Sequence, residues 1–134
     1  YQATDNLVLG FNASLTDGRP FGCIGTHPTD TFAQQYGDDS WFCAGQSTPR
    51  GSITKSDTIF SLDFSMAFDL GGAGIIKESF FKVDVFNILG QDGVDDINEY
   101  GENGGPSSYP QQYYQLPVSY QYPRQIRLGL EARF

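Results

Sequence analysis

The chain has 134 residues, a formal net charge of −8, 15% aromatic and 18% charged residues, and enough length for about one domain. The acidic balance and the lack of a basic run argue against a nucleic-acid partner, because phosphate binding needs clustered Lys and Arg. No apolar stretch reaches the roughly 18 residues of a transmembrane helix, and the abundance of Phe, Tyr and Gly favours strands joined by glycine turns.

No secretory leader is legible and the chain opens at Tyr1, so either a leader has been removed or the sequence is a piece of something longer. The first predicted strand covers about 6–16. Leu7, Leu9, Phe11, Ala13 and Leu15 share one side, opposed by Asn6, Gly10, Asn12, Ser14 and Thr16, with Val8 breaking the polar row. Such period-two alternation marks a strand with one apolar face.

Residues 17–57 read as a long polar loop holding both cysteines, Cys23 and Cys43. A disulfide between them would restrict the unfolded chain, contribute roughly 3 kcal/mol and imply an oxidising compartment. A metal pair or two free thiols are the rival readings. The single histidine, His27, excludes a histidine-rich metal site, and a long polar loop offers it no rigid scaffold for a Ser/His/Asp triad.

The second predicted strand, about 58–70, alternates most clearly. Phe60, Leu62, Phe64, Met66, Phe68 and Leu70 face away from Ile59, Ser61, Asp63, Ser65, Ala67 and Asp69. "LGGAG" then supplies a glycine turn. The third, about 79–90, sets Phe81, Val83, Val85 and Leu89 against Lys82, Asp84, Phe86 and Ile88, with Phe80, Phe86 and Ile88 as apolar intruders on the polar side.

Residues 91–122 form a second long loop, acidic first and then rich in Tyr and Pro. "GQDGVDDINEYGE" imitates a calcium loop but fits no EF-hand frame: with Gly93 at position 6, Ile88 and Gly90 stand where acids belong, and a start at Asp96 puts Tyr100 at position 5 and Ser107 at position 12. A calcium ion held loosely by Asp92, Asp95, Asp96 or Glu99 is the weaker expectation beside a solvated acidic loop. The last strand, about 123–134, sends Ile126, Leu128, Leu130, Ala132 and Phe134 one way and Gln125, Arg127, Gly129, Glu131 and Arg133 the other.

A soluble sandwich strand also alternates. Three features favour a membrane instead: broad aromatic faces on strands of about 9–11 residues, connections that run long, short, long, and the terminal Phe134 on an apolar stripe. Lipid cannot satisfy a bare backbone, and the smallest membrane barrels use about eight strands, so four strands require the rest of a barrel from elsewhere. The expected fold is all-β: the last four strands of a larger transmembrane antiparallel barrel, with two long extracellular loops.

"PRQIRLGLEARF" resembles the closing strand of TonB-dependent outer-membrane receptors, and "SLDFSMAFDL" and "FKVDVFNILGQ" resemble the two strands before it. "GRPFGCIGTHPTDTFAQQYGDDSWFCAGQSTPRGS" is similar to the cysteine-bearing outer loop of the Oar-like branch of that family. The resemblance implies a 22-stranded barrel in the bacterial outer membrane, plugged by an N-terminal domain and energised through the TonB complex. Neither plug nor TonB box is in this sequence, so the resemblance places them, with the remaining strands, on another or an upstream polypeptide. It also implies that Leu128, Leu130 and Phe134 belong to the signal read by the outer-membrane insertion machinery.

On this reading Asp63, Asp69, Lys82, Asp84, Arg127, Glu131 and Arg133 face the lumen, and their mixed signs suggest ion pairs rather than the split-pKa carboxylates of an enzyme. Tyr120 and Tyr122 suit a membrane-boundary girdle, whereas Tyr109, Tyr113 and Tyr114, interleaved with Pro106, Pro110 and Pro117, are candidate ligand contacts. The expected function is nutrient import, not catalysis. Surface adhesion through the outer loops and a soluble carbohydrate-binding sandwich are the alternatives.

Overall fold

Strand-forming alternation sets the architecture. The computed structural model describes residues 1–75, 77–103 and 111–132, and it is all-β with one short helix among them. In chain order the elements are β1 (Gln2–Thr4), β2 (Leu7–Thr16), β3 (Pro20–Phe21), β4 (Gly25–Thr26), α1 (Thr31–Tyr36), β5 (Asp39–Ser40), β6 (Phe42–Cys43), β7 (Gln46–Ser47), β8 (Thr54–Lys55), β9 (Ile59–Asp69), β10 (Ser79–Phe86), β11 (Val94–Ile97), β12 (Pro117–Tyr120) and β13 (Gln125–Ala132). They divide into two compact units: Tyr1–Thr16 with Phe60–Asp92 and Tyr122–Phe134, and Asp17–Ile59 with Gly93–Gln121.

The first unit is an open five-stranded sheet in the order β1-β2-β9-β10-β13. Its ladder runs without a slip through the centre: Phe81 faces Phe68 on one side and Leu130 on the other, Val83 faces Met66 and Leu128, and Val85 faces Phe64 and Ile126. Because side chains alternate across a pleat, this register gathers the apolar rows of β9, β10 and β13 on one face. β2 joins the same face, with the Phe11 and Phe64 rings 5.2 Å apart. β10 stops at Phe86, short of the expected end near 90, because Asn87 takes the left-handed conformation at φ +48°.

No barrel closes among the described residues. β13 ends the strand order, and β1 covers β2 only as far as Leu9, whose N–H and carbonyl both bond Tyr1. Nor do the described residues bury the apolar face: Leu128 is 66% exposed, Phe11, Ile126 and Leu130 are comparably open, and the central Phe64, Met66, Phe81 and Val83 are half-buried. The buried apolar side chains among the described residues are Phe21, Cys23 and Ala33, all in the second unit.

The second unit draws on both long connections: Asp17–Ile59 and the described part of Gly93–Gln121 form one compact body, joined by a parallel bridge between Ile24 and Tyr100. Ile24 N–H donates to the Glu99 carbonyl at 2.8 Å, and Gly101 N–H to the Ile24 carbonyl at 2.9 Å. Short antiparallel pairs β3/β8, β4/β5, β6/β7 and β11/β12 account for more of the backbone polar groups, which a long buried loop would otherwise leave unsatisfied. The β6/β7 hairpin turns through Ala44 and Gly45, both at positive φ, as tight two-residue hairpins require.

Candidate functional site

The sheet's polar face collects most of the charged residues singled out in the sequence. Lys82 on β10 reaches diagonally across Gly129 to Glu131 on β13, Nζ to Oε2, at 2.6 Å. Asp84 lies directly opposite Arg127 and accepts from its Nε at 3.0 Å and its Nη2 at 2.8 Å. The Arg127 guanidinium also lies over the Phe86 ring, 5.4 Å from its centroid, which gives that apolar intruder a partner. Exposed pairs of this kind contribute about 0–1 kcal/mol each, so their main effect is to fix registry and charge pattern rather than stability.

Asp63 has a different role. Its carboxylate accepts from Asn12 Nδ2 at 3.3 Å, Ser61 Oγ at 3.1 Å and the Asn87 N–H at 2.9 Å, linking β2, β9 and the end of β10. Asn87 is buried and extends that lattice: its Nδ2 donates to the carbonyls of Gln91 at 2.7 Å and Tyr122 at 2.9 Å. Asp69 stands apart at the β9 end, accepting from Gly72 N–H at 2.8 Å. A hollow of about 310 Å³ opens between Gly10, Asn12, Asp63, Ser65, Asp84 and Phe86. Both of its carboxylates are engaged by the donors just named. Arg133 and Phe134 lie outside the described residues, while Leu128 and Leu130 occupy the exposed apolar face.

In the second unit Cys23 and Cys43 form the disulfide, with Cα atoms 6.0 Å apart. Gly101 packs directly on it, because a Cβ there would collide with Cys23 Sγ. Tyr114 lies beside that contact, half-buried, whereas Tyr113 is exposed, and Tyr109 lies outside the described residues. Tyr120 and Tyr122 are both exposed.

Of the acidic residues weighed for calcium, Asp96 and Glu99 are both engaged by arginine. Glu99 is 8% exposed and accepts from Arg19 at 3.0 Å, Arg50 at 3.4 Å and the Gly22 N–H at 3.3 Å. Asp96 pairs with Arg19 at 3.3 Å, while Asp92 and Asp95 are exposed. Among the described residues no group of three or more His, Cys, Asp or Glu side chains is arranged to hold a metal ion. At the edge of this unit Asp17 is held below the usual carboxylate range, first by the Lys55 ammonium at 2.9 Å, then by Gly18 N–H and the Thr58 hydroxyl.

Sequence reasoning missed three parts: the Glu99 clamp, the Asn87 lattice and α1. Only α1 had a local signal, Asp30 before and Gly37 after "TFAQQY", the residue types that start and stop helices. No family model, curated protein or solved structure matches this chain.

Proposed function

We propose that the chain forms part of the barrel wall, with outer loops, of a TonB-dependent receptor in the bacterial outer membrane that imports a nutrient. The uncovered apolar face carries this reading. Four adjacent strands present Phe, Leu, Ile, Val and Met on one face that the described residues leave uncovered, while the reverse face carries cross-strand ion pairs. Hydrocarbon on one side and a wet lumen on the other match that division.

Strands β2 and β9, of 10 and 11 residues, have the reach to cross a tilted barrel wall, and β10 and β13, of 8 each, cover most of it. An open sheet in lipid would leave edge N–H and carbonyl groups unpaired at several kcal/mol each, so the missing strands must come from elsewhere, together with the plug that the TonB complex acts on. A soluble sandwich would need a second apolar layer, and none of the described residues supplies one.

The test is extraction in mild detergent followed by identification of what copurifies. The expected result is an outer-membrane particle whose other strands and plug come from a longer or a companion polypeptide. A monodisperse monomer, soluble without detergent, would remove the basis for this function.

A further inference from the structure

Helix α1 has its apolar residues on the wrong side for a core. Small Ala33 is buried at 3% exposure, whereas Phe32 and Tyr36 are 60% and 68% exposed. Being four positions apart, the two rings are neighbours on one helix face, with centroids 4.7 Å apart.

A six-residue helix has no stability of its own in water, so its surroundings must hold it. Asp30 caps the N-terminus by accepting from Phe32 and Ala33 N–H, and Gly37 closes the other end in the left-handed conformation with its N–H on the Ala33 carbonyl. His27 Nδ1 accepts from Thr29 N–H at 3.3 Å and Asp30 N–H at 3.1 Å, and Gln34 Nε2 donates to the Pro28 carbonyl. The imidazole in turn lies against Phe42, ring centroids 4.4 Å apart. All of this order fixes two aromatic rings in place without burying them.

Charge around the rings is one-sided. Between Arg19 and Arg50 the sequence has no Lys or Arg, while Asp30, Asp38 and Asp39 bracket the helix. The flanking arginines both pair with Glu99, and Lys55 pairs with Asp17. A negative field of this kind repels polyanions and attracts cations. Small molecules take concave sites, whereas rings on the convex side of a helix offer a macromolecule an aromatic contact of the kind enriched at interfaces.

We infer that the Phe32–Tyr36 pair is a docking surface for a Lys/Arg-bearing polypeptide segment, whose cations lie over the two rings within the field of Asp30, Asp38 and Asp39. The contact combines cation–π attraction with charge complementarity. It lies wholly within the second unit and does not depend on what wets the sheet.

Titrating the full chain in detergent with a fluorescent short oligolysine, and with oligoglutamate as control, tests this. Oligolysine is expected to bind, oligoglutamate not, and the affinity to fall as salt rises from about 50 to about 300 mM. The double variant Phe32→Ala/Tyr36→Ala should weaken binding about tenfold with circular dichroism and the disulfide unchanged. Should that variant misfold, Phe32→Leu/Tyr36→Leu keeps the apolar bulk, removes the π faces and should show the same loss. Asp38→Asn/Asp39→Asn should weaken binding about threefold, whereas Asp5→Asn/Asp92→Asn, which removes two charges from the other unit, should leave it nearly unchanged. Absence of oligolysine binding, undiminished binding by the aromatic variants, or an equal loss in the Asp5/Asp92 control would overturn the assignment.

Discussion

The two units are held together by different physics. The second has a small side-chain core, with Phe21 fully buried, a disulfide, and a buried carboxylate clamped by two arginines. The first has a long antiparallel ladder, buries only Ser79 and Asn87 among its described residues, and leaves its apolar face open. A body that must be stable in water needs staples when its core is small. The sheet buries none of its described apolar side chains, so its strands are held by the backbone ladder and by polar contacts.

Perturbing one unit should therefore leave the other intact, and the largest expected effect is loss of the disulfide. Cys23→Ser/Cys43→Ser should destabilise the second unit by about 3 kcal/mol. Amide exchange should rise around Ile24, Glu99 and Gly101, while the ladder between β9 and β10 keeps its protection. Equal loss in both would show that the division into units has no energetic meaning.

Glu99→Gln comes next. It removes the carboxylate that pairs with Arg50, leaves Arg19 with Asp96, and weakens the acceptor of Gly22 N–H. Removing one member of a buried pair costs about 3–5 kcal/mol, but both arginines are about half exposed, so about 2 kcal/mol is expected in a denaturant titration of the second unit. A loss below about 0.5 kcal/mol would mean that solvent already screens the clamp.

The smallest effect concerns acid. Asp17 has a folded pKa below its ordinary value of 3.8, so its link to Lys55 stabilises the fold above that value and is lost as pH falls through the depressed folded pKa. Chemical shifts of Thr58 and Gly18 followed from pH 6 downward should move at a pH below the titration range of an exposed aspartate. In Lys55→Met that midpoint should rise toward the ordinary value. A midpoint unchanged by Lys55→Met would contradict the assignment of cause.

The sheet was legible because its information is local and periodic. Alternation in "TIFSLDFSMAFDL" and "RQIRLGLEA" tells which side chains share a face whatever lies next to them, and the register then lines those faces up. The second unit was not legible for the opposite reason. Ile24 meets Tyr100, Arg19 meets Glu99 and Gly101 meets Cys23 across gaps of 76 to 80 residues, and no composition rule links such positions. Asn87 is a second such case: its reach to the carbonyls of Gln91 and Tyr122 is seen only in three dimensions.

The central claim is that lipid covers the apolar face and water the polar one. Two single-tryptophan variants test it most directly, Leu128→Trp and Arg127→Trp, each in a Trp41→Phe background and reconstituted in bilayers. Leu128→Trp should be quenched by brominated acyl chains and shielded from aqueous iodide, and Arg127→Trp, on the opposite side of the same strand, should show the reverse. A Trp at 128 that iodide reaches and brominated lipid does not would contradict the account.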